Sequence, residues 1–287
     1  AATKSGFDHF MIKEINEQGA SIEELLRINT KNNQVNFEEG SFSKEEIGKI
    51  KRIYIVACGT AYNSGLVAKP IIEKFTKIPV VCDLASEFRY NEPFLDEDTL
   101  VILISQSGET ADSLKALRFA KENEAKTLLI TNTLASSMDR EADRSIYCYA
   151  GPEIAVASTK AYTTQLVNFY LLALDFSKKL GKIEEKSYQN YLEKLREIPA
   201  KIDQILANDE IIKKFAEEIK NKSSLFYIGR GLDYGTTIEA ALKLKEVSYI
   251  HTEAFAAGEL KHGTISLIEE GTPVIAIMSQ ENLTAKT

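Results

Sequence analysis

The sequence predicts an α/β fold made of two copies of a parallel sheet flanked by helices, with the second copy incomplete. Three observations carry this. From Arg52 onward, apolar β-rich segments at 53–57, 80–82, 100–104, 127–130 and 145–149 alternate with helical segments, and strands separated by helices imply a parallel sheet with crossover helices. Leu100 to Ile104 is an unbroken apolar run, as expected of a central parallel strand covered on both faces. A further strand at 225–228 runs into Gly229-Arg230-Gly231 and a helix over about 234–250, repeating the strand, glycine turn and helix of 53–65. A repeat of this kind makes Gly59 and Gly229 rough equivalents. Only about 65 residues follow Ser223, so the second copy is short and the chain reads as a fragment.

The elements follow in order. Residues 8–50 read as helical: Phe10, Met11 and Ile15 form one stripe, and Ser21 with Glu24 and Ser43 with Glu46 have capping-box spacing. This preamble is assigned to 1–50, the first α/β subdomain to 51–182, and a helical connector with the partial second subdomain to 183–287. After Gly151-Pro152 a long helix is predicted through about Lys179 and more helix through about Asn221, with no strand signal in that span.

Composition narrows the class. Hydrophobic residues make up 44% and charged residues 27% of the 287, ordinary for a globular protein. A formal net charge of −7 argues against a broad nucleic-acid surface, which needs clustered positive charge. An anionic ligand must then be captured by local donors. Cys58, Cys82 and Cys148 are odd in number, widely spaced and set in apolar runs, and read as reduced core residues. There is no run of eighteen apolar residues and no secretory signal pattern at the start. A soluble, cytoplasmic protein without a membrane segment is expected.

The strand at 100–104 ends in Ser105-Gln106-Ser107-Gly108, followed by a predicted helix over 109–122. Free backbone N–H groups at Ser107 and Gly108, with the hydroxyls of Ser105, Ser107 and Thr110, form a receptor for an anion such as a phosphate monoester. The competing reading makes Ser107 a plain N-cap. Gly229-x-Gly231 followed by Gly235 misses the G-x-G-x-x-G spacing and lacks the acidic partner of a nicotinamide site, and no P-loop is present. On the helix over 234–250, Glu239, Lys243 and Glu246 share one arc, either as a functional cluster or as an ion-pair ladder. His262 lies in a polar loop between glycines, suited to proton transfer. His9 and His251 read as structural. No His or Cys pair has metal-ligand spacing, so neither a metal nor a cofactor is expected.

Taken together and in order, CGTAYNSG, ISQSGETADSL, VASTKAYTTQL, ALKLKEVSYIH and GELKHG resemble the sugar isomerase (SIS) half of the glutamine–fructose-6-phosphate aminotransferase family. The resemblance runs from about His9 to the end. It implies two SIS-type subdomains that convert fructose 6-phosphate with ammonia to glucosamine 6-phosphate, the first step of the hexosamine pathway. It further implies that Ser105, Gln106, Ser107 and Thr110 hold the 6-phosphate with Thr60 nearby, and that Val156 and Ser158 line the sugar. Glu246 would move the proton between C1 and C2, Lys243 would assist electrostatically, and His262 would open the sugar ring in the neighbouring subunit's site. A homodimer follows, with the glutaminase domain of the full-length enzyme as a further partner. Two positions depart from the family pattern: Ala61 stands where Ser is common, and Gly19 where Pro is usual. The alternatives are another SIS enzyme acting on amino-sugar phosphates, or a non-catalytic sugar-phosphate-binding regulator.

Overall fold

The structure is a computed structural model and describes residues 3–287. It divides into two compact units, Ala1–Asp203 and Gln204–Thr287. The first begins with α1 (Phe10–Asn16) and α2 (Gln18–Asn29), then a two-stranded antiparallel ribbon of β1 (Thr30–Lys31) and β2 (Gln34–Val35), then α3 (Lys44–Lys49). The ribbon corrects the all-helical reading of 8–50. Asn32 and Asn33 both adopt left-handed backbone, φ 53° and 55°, the geometry that two-residue hairpin turns need and Asn tolerates. Of the two expected capping boxes, Ser43 with Glu46 is present in full. Ser21 is not a cap: it lies buried inside α2, which starts directly after α1.

A five-stranded parallel sheet follows, built from β3 (Arg52–Ala57), β4 (Val80–Leu84), β5 (Thr99–Ser105), β6 (Lys126–Thr131) and β7 (Arg144–Tyr147) in the order β4-β3-β5-β6-β7. The crossovers are α4 (Gly59–Thr76), α5 (Ala111–Glu122) and α6 (Ser137–Glu141), and α7 (Lys160–Lys179) and α8 (Glu185–Leu206) come after the last strand. All seven residues of β5 are buried, because both faces are covered. On one face Ile55, Ile102 and Ile104 meet Ile72 of α4 and Phe169, Leu172 and Phe176 of α7. On the other, Val56, Val101 and Leu103 meet Ala116, Leu117 and Ala120 of α5. Gly19 has a packing role: a Cβ there would stand 2.7 Å from Asp203 Oδ1 and 3.3 Å from the Pro199 carbonyl.

In the second unit α9 (Asp209–Ile219) precedes β8 (Ser224–Gly229), α10 (Leu232–Ser248), β9 (His251–Ala256), β10 (Val274–Ala276) and α11 (Glu281–Thr284). Its parallel sheet has the order β10-β8-β9 over a small core of Ile219, Leu225 and Ile250. One expectation changes here. The counterpart of Gly59 is Gly231, not Gly229: Gly59 opens α4 with φ 54°, Gly231 caps α10 with φ 55°, and Gly229 lacks a positive φ. His251, read as structural, opens β9 and is exposed, with Nε2 3.4 Å from Glu253. Among the described residues no helix is long and apolar enough to cross a membrane.

Candidate functional site

In a parallel sheet the loops after adjacent strands open at one edge, and ligands bind there. Ala57 of β3 is in register with Ile104 of β5, and Ser105 with Thr131 of β6, so the loops that follow them converge. Between them lies a pocket of about 200 Å³ lined by Cys58, Thr60, Ala61, Ile104, Ser105, Gln106, Ser107, Thr110, Ser158 and Gln165. No charged side chain is on this wall. Six of the residues expected to hold the ligand, Thr60, Ser105, Gln106, Ser107, Thr110 and Ser158, line it together.

The Ser105–Thr110 loop is braced from behind by the β6–α6 connection. Asn132 N–H donates to the Gln106 carbonyl at 3.1 Å, Met138 N–H donates to the Gly108 carbonyl at 3.1 Å, and Ser137 N–H donates to Glu109 Oε1 at 2.7 Å. Gly108 has φ 64°, and a Cβ on it would fall 2.0 Å from Ser136 Oγ, so only glycine fits this close approach. Its amide is not free, as the sequence implied: Gly108 N–H donates to Ser105 Oγ at 3.0 Å, and Glu109 N–H donates to Ser107 Oγ at 3.2 Å. Nor is Ser107 the N-cap, because α5 begins at Ala111 and Thr110 precedes it. The loop therefore presents hydroxyls already oriented by its own amides rather than free amides.

Carboxylates outside the pocket lining brace the segment that carries Ser158. Glu153 accepts from Ser158 Oγ at 2.8 Å, Thr159 N–H at 2.8 Å and Ala161 N–H at 3.2 Å, a negative charge where the α7 dipole favours one. Buried Glu14 accepts from the Ile154 and Ala155 amides at 2.6 and 3.1 Å. Lys160, also buried, donates to Glu17 at 2.8 Å. Burial by itself would raise the Glu17 carboxyl, but hydrogen bonds and charge from Lys160 and Lys13 outweigh it and hold the group below its ordinary value. Ser158 thus sits on a pinned segment. Val156, at the segment's tip, is fully exposed (102%) and is not part of the pocket wall.

Four further residues, Cys58, Ala61, Ile104 and Gln165, line the pocket beside the six expected ones. Cys58 was expected in the core with the other cysteines, yet it and Cys82 are half-buried and only Cys148 is fully buried. Burial raises all three thiols, to about 12 for Cys82 and Cys148. Gln165 is 1% exposed, and its Oε1 has no hydrogen-bond partner. An unsatisfied buried amide oxygen costs about 1–3 kcal/mol. No helical spacing points to Gln165, because Ser158 precedes the Thr159 cap of α7 and lies outside the helix.

In the second unit Glu239, Lys243 and Glu246 do share one arc, with Lys243 between the two carboxylates, an arrangement open to either reading. Lys243 Nζ lies 3.6 Å from Glu239 and 2.5 Å from Glu246, with side-chain exposures of 18%, 6% and 36% respectively. The N-terminal half of α10 is buried on several sides, but Val247 and Tyr249 near its end are exposed. His262 is exposed between two short 3₁₀ turns, 259–261 and 264–267, with its own N–H donating to the Glu259 carbonyl at 2.9 Å. The loop after β10 in this unit is consumed internally: Ser279 N–H donates to Asp233 at 2.9 Å, Ser279 Oγ also bonds Asp233, and Gln280 donates to the Arg230 carbonyl at 2.8 Å.

Comparison with known proteins agrees with this fold. Residues 46–175 and 218–287 match the SIS domain. The chain is 53% identical over 287 residues to the glutamine–fructose-6-phosphate aminotransferase (isomerizing) of Caldanaerobacter subterraneus subsp. tengcongensis, with 100% of this chain and 47% of that protein covered. The enzyme of the same name from Clostridium tetani is 53% identical over 288 residues, with the same coverage. The chain therefore spans about half the length of the curated relatives it matches. Among solved structures, the C-terminal domain of glucosamine-fructose-6-phosphate aminotransferase from Francisella tularensis aligns with a TM-score of 0.95 at 40% identity, covering 100% of this chain and 80% of that one. Parallel sheets, hydroxyl loop and shared sequence together place this chain in the SIS domain family, among the isomerase domains of the glutamine–fructose-6-phosphate aminotransferases.

Proposed function

We propose that the chain binds fructose 6-phosphate and is the isomerase portion of an enzyme that makes glucosamine 6-phosphate from it. The observation that carries this is the pocket at the sheet edge, where Ser105, Gln106, Ser107 and Thr110 meet Thr60 and Ser158. Hydroxyl donors bond a phosphate dianion more strongly than they bond one another, since hydrogen bonds to charged groups are about twice as strong as neutral ones. Ala61 removes one hydroxyl from the wall without adding charge. In this reading Glu246 is the base that moves a proton between C1 and C2, Lys243 stabilises the developing enediolate charge, and His262 opens the sugar ring in a partner subunit's site. Enolisation requires a carboxylate near the C1/C2 protons and a cation near the oxygens, and the Lys243–Glu246 pair offers both types of group. Val156 borders the sugar through its segment. Residues 51–182 form the first subdomain and 183–287 the connector and second. The working form is a cytoplasmic homodimer, and ammonia comes from the glutaminase domain of the longer enzyme.

Soaking crystals with fructose 6-phosphate tests the site directly. Phosphate density at Ser105–Thr110 is the expected result. Density elsewhere, or none alongside absent binding in calorimetry, would refute it.

A further inference from the structure

The pocket wall has a polar group that the phosphate site does not use. Gln165 is buried on α7, lines the pocket with Ser158, and its Oε1 is without a hydrogen-bond partner. Around it α7 is committed to packing: Ala161, Phe169 and Leu172 are buried apolar residues, and the nearby Asn168 is spent, donating to the Tyr147 carbonyl at 3.1 Å and accepting from Asn29 at 3.0 Å. Asn168 shows what a purely structural amide looks like on this helix. Gln165 differs from it in having no such partner while bordering a cavity.

An unpartnered amide oxygen is an acceptor and selects for a donor. A phosphate monoester dianion has acceptor oxygens only, whereas the carbon chain of a sugar phosphate carries several O–H donors. We infer that Gln165 is a specificity residue that accepts a hydrogen bond from a hydroxyl of the bound sugar, distinguishing a polyhydroxylated phosphate ester from phosphate itself. This rests on the sugar-phosphate reading of the pocket. It divides the labour within that pocket: the Ser105–Thr110 loop holds charge, and the α7 wall reads hydroxyls. A site built to bond a hydroxyl rejects ligands that lack it, because its buried polar group is then left unpaired.

The test is calorimetry of this chain with fructose 6-phosphate and, separately, with inorganic phosphate, in wild type, Gln165→Leu and Gln165→Met. Both variants should weaken fructose 6-phosphate about tenfold, the worth of one hydrogen bond with its desolvation cost, and leave phosphate within about twofold. Both should also melt, without ligand, at or above the wild-type temperature, since an unsatisfied buried oxygen has been replaced by apolar atoms. A structural glutamine would show the reverse, lower melting and unchanged ligand preference. Equal weakening of both ligands, or of neither, overturns the assignment while the phosphate site stands. A wild-type chain that binds neither ligand overturns the site and the assignment together. Should Gln165→Leu not fold, Gln165→Met carries the comparison, and failure of both to fold would mark Gln165 as structural and end the proposal.

Discussion

The hydroxyls of Ser105 and Thr110 lie 3.0 Å apart across the loop from β5 to α5, while Ser105 Oγ also accepts the Gly108 N–H at 3.0 Å. A hydroxyl that accepts from an amide keeps its own proton to donate, and its rotor is free to turn toward an anion. Replacing Ser107 and Thr110 together by Ala should weaken hexose 6-phosphate binding by about 2–4 kcal/mol, from roughly 1.5–3 per hydrogen bond to a charged group with partial backbone compensation. Calorimetry on the folded double variant decides it. Unchanged affinity would mean the hydroxyls serve the turn and nothing else.

Gly108→Ala should be among the most damaging small changes in the chain. It forces a side chain into φ 64° and puts a methyl 2.6 Å from Ser136 Cβ, with Ser136 itself capping α6. Left-handed backbone and overpacking together cost about 2–5 kcal/mol, a fall of about 5–15 °C in melting temperature for a unit of this size. Thermal unfolding followed by circular dichroism gives the answer, and a melting point within about 2 °C of wild type would contradict the packing described for this loop.

Much of this was legible from the chain alone, and the limits have physical causes. The apolar run at 100–104, short and bounded by turn residues, reads as a doubly covered strand, and a hydroxyl-rich turn after such a strand falls at the ligand edge of a parallel sheet. Local chemistry could not reveal where amides end up. Gly108 N–H turns back to Ser105 because the loop is fixed from behind by Ser136 and Met138, which are distant in sequence. β9 was missed for the same reason: His251 to Ala256 is a strand by virtue of pairing with β8, and strand identity depends on such neighbours more than on intrinsic preference. At Asn32-Asn33 the turn residues are present in the sequence, but helical periodicity on both sides masks a two-residue hairpin.

The tie between the preamble and the sheet should be sensitive to acid. Glu46 accepts the Ser43 N–H at 2.7 Å and pairs with Arg144 at 2.5 Å, while Arg144 also lies 4.2 Å from the Phe42 ring centroid. The Ser43 backbone hydrogen bond, and after it the Arg144 charge, hold the Glu46 carboxyl below its ordinary value of 4.5 despite some burial. A carboxyl lowered in the folded state contributes stability in full above its unfolded value and loses it as pH falls through the folded one. Glu46→Gln keeps an acceptor for the cap but loses the charge. It should melt below wild type at pH 7, with the gap constant down to about pH 4.5 and closing below that. A gap that stays open in strong acid would show that packing, not ionisation, is responsible.

Glu246 separates catalysis from binding, because it and the hydroxyl loop belong to different stretches of the chain and a change at one need not disturb the other. Its pair with Lys243 at 2.5 Å is partly exposed, with Glu246 at 36%, and such pairs contribute about 0–1 kcal/mol. Glu246→Gln preserves shape and one hydrogen bond to Lys243, and Glu239 remains 3.6 Å from the ammonium to balance it. Melting temperature should therefore fall by no more than about 4–8 °C. Fructose 6-phosphate binding should be nearly unchanged. If Glu246 is the base, exchange of the C1 proton of bound fructose 6-phosphate with deuterated water should slow by roughly 10²–10⁴, the usual worth of a positioned base. NMR of the sugar reads that exchange without any need for ammonia transfer. Wild-type exchange in the variant would leave Glu246 as one rung of an ion-pair ladder and send the search for the base elsewhere.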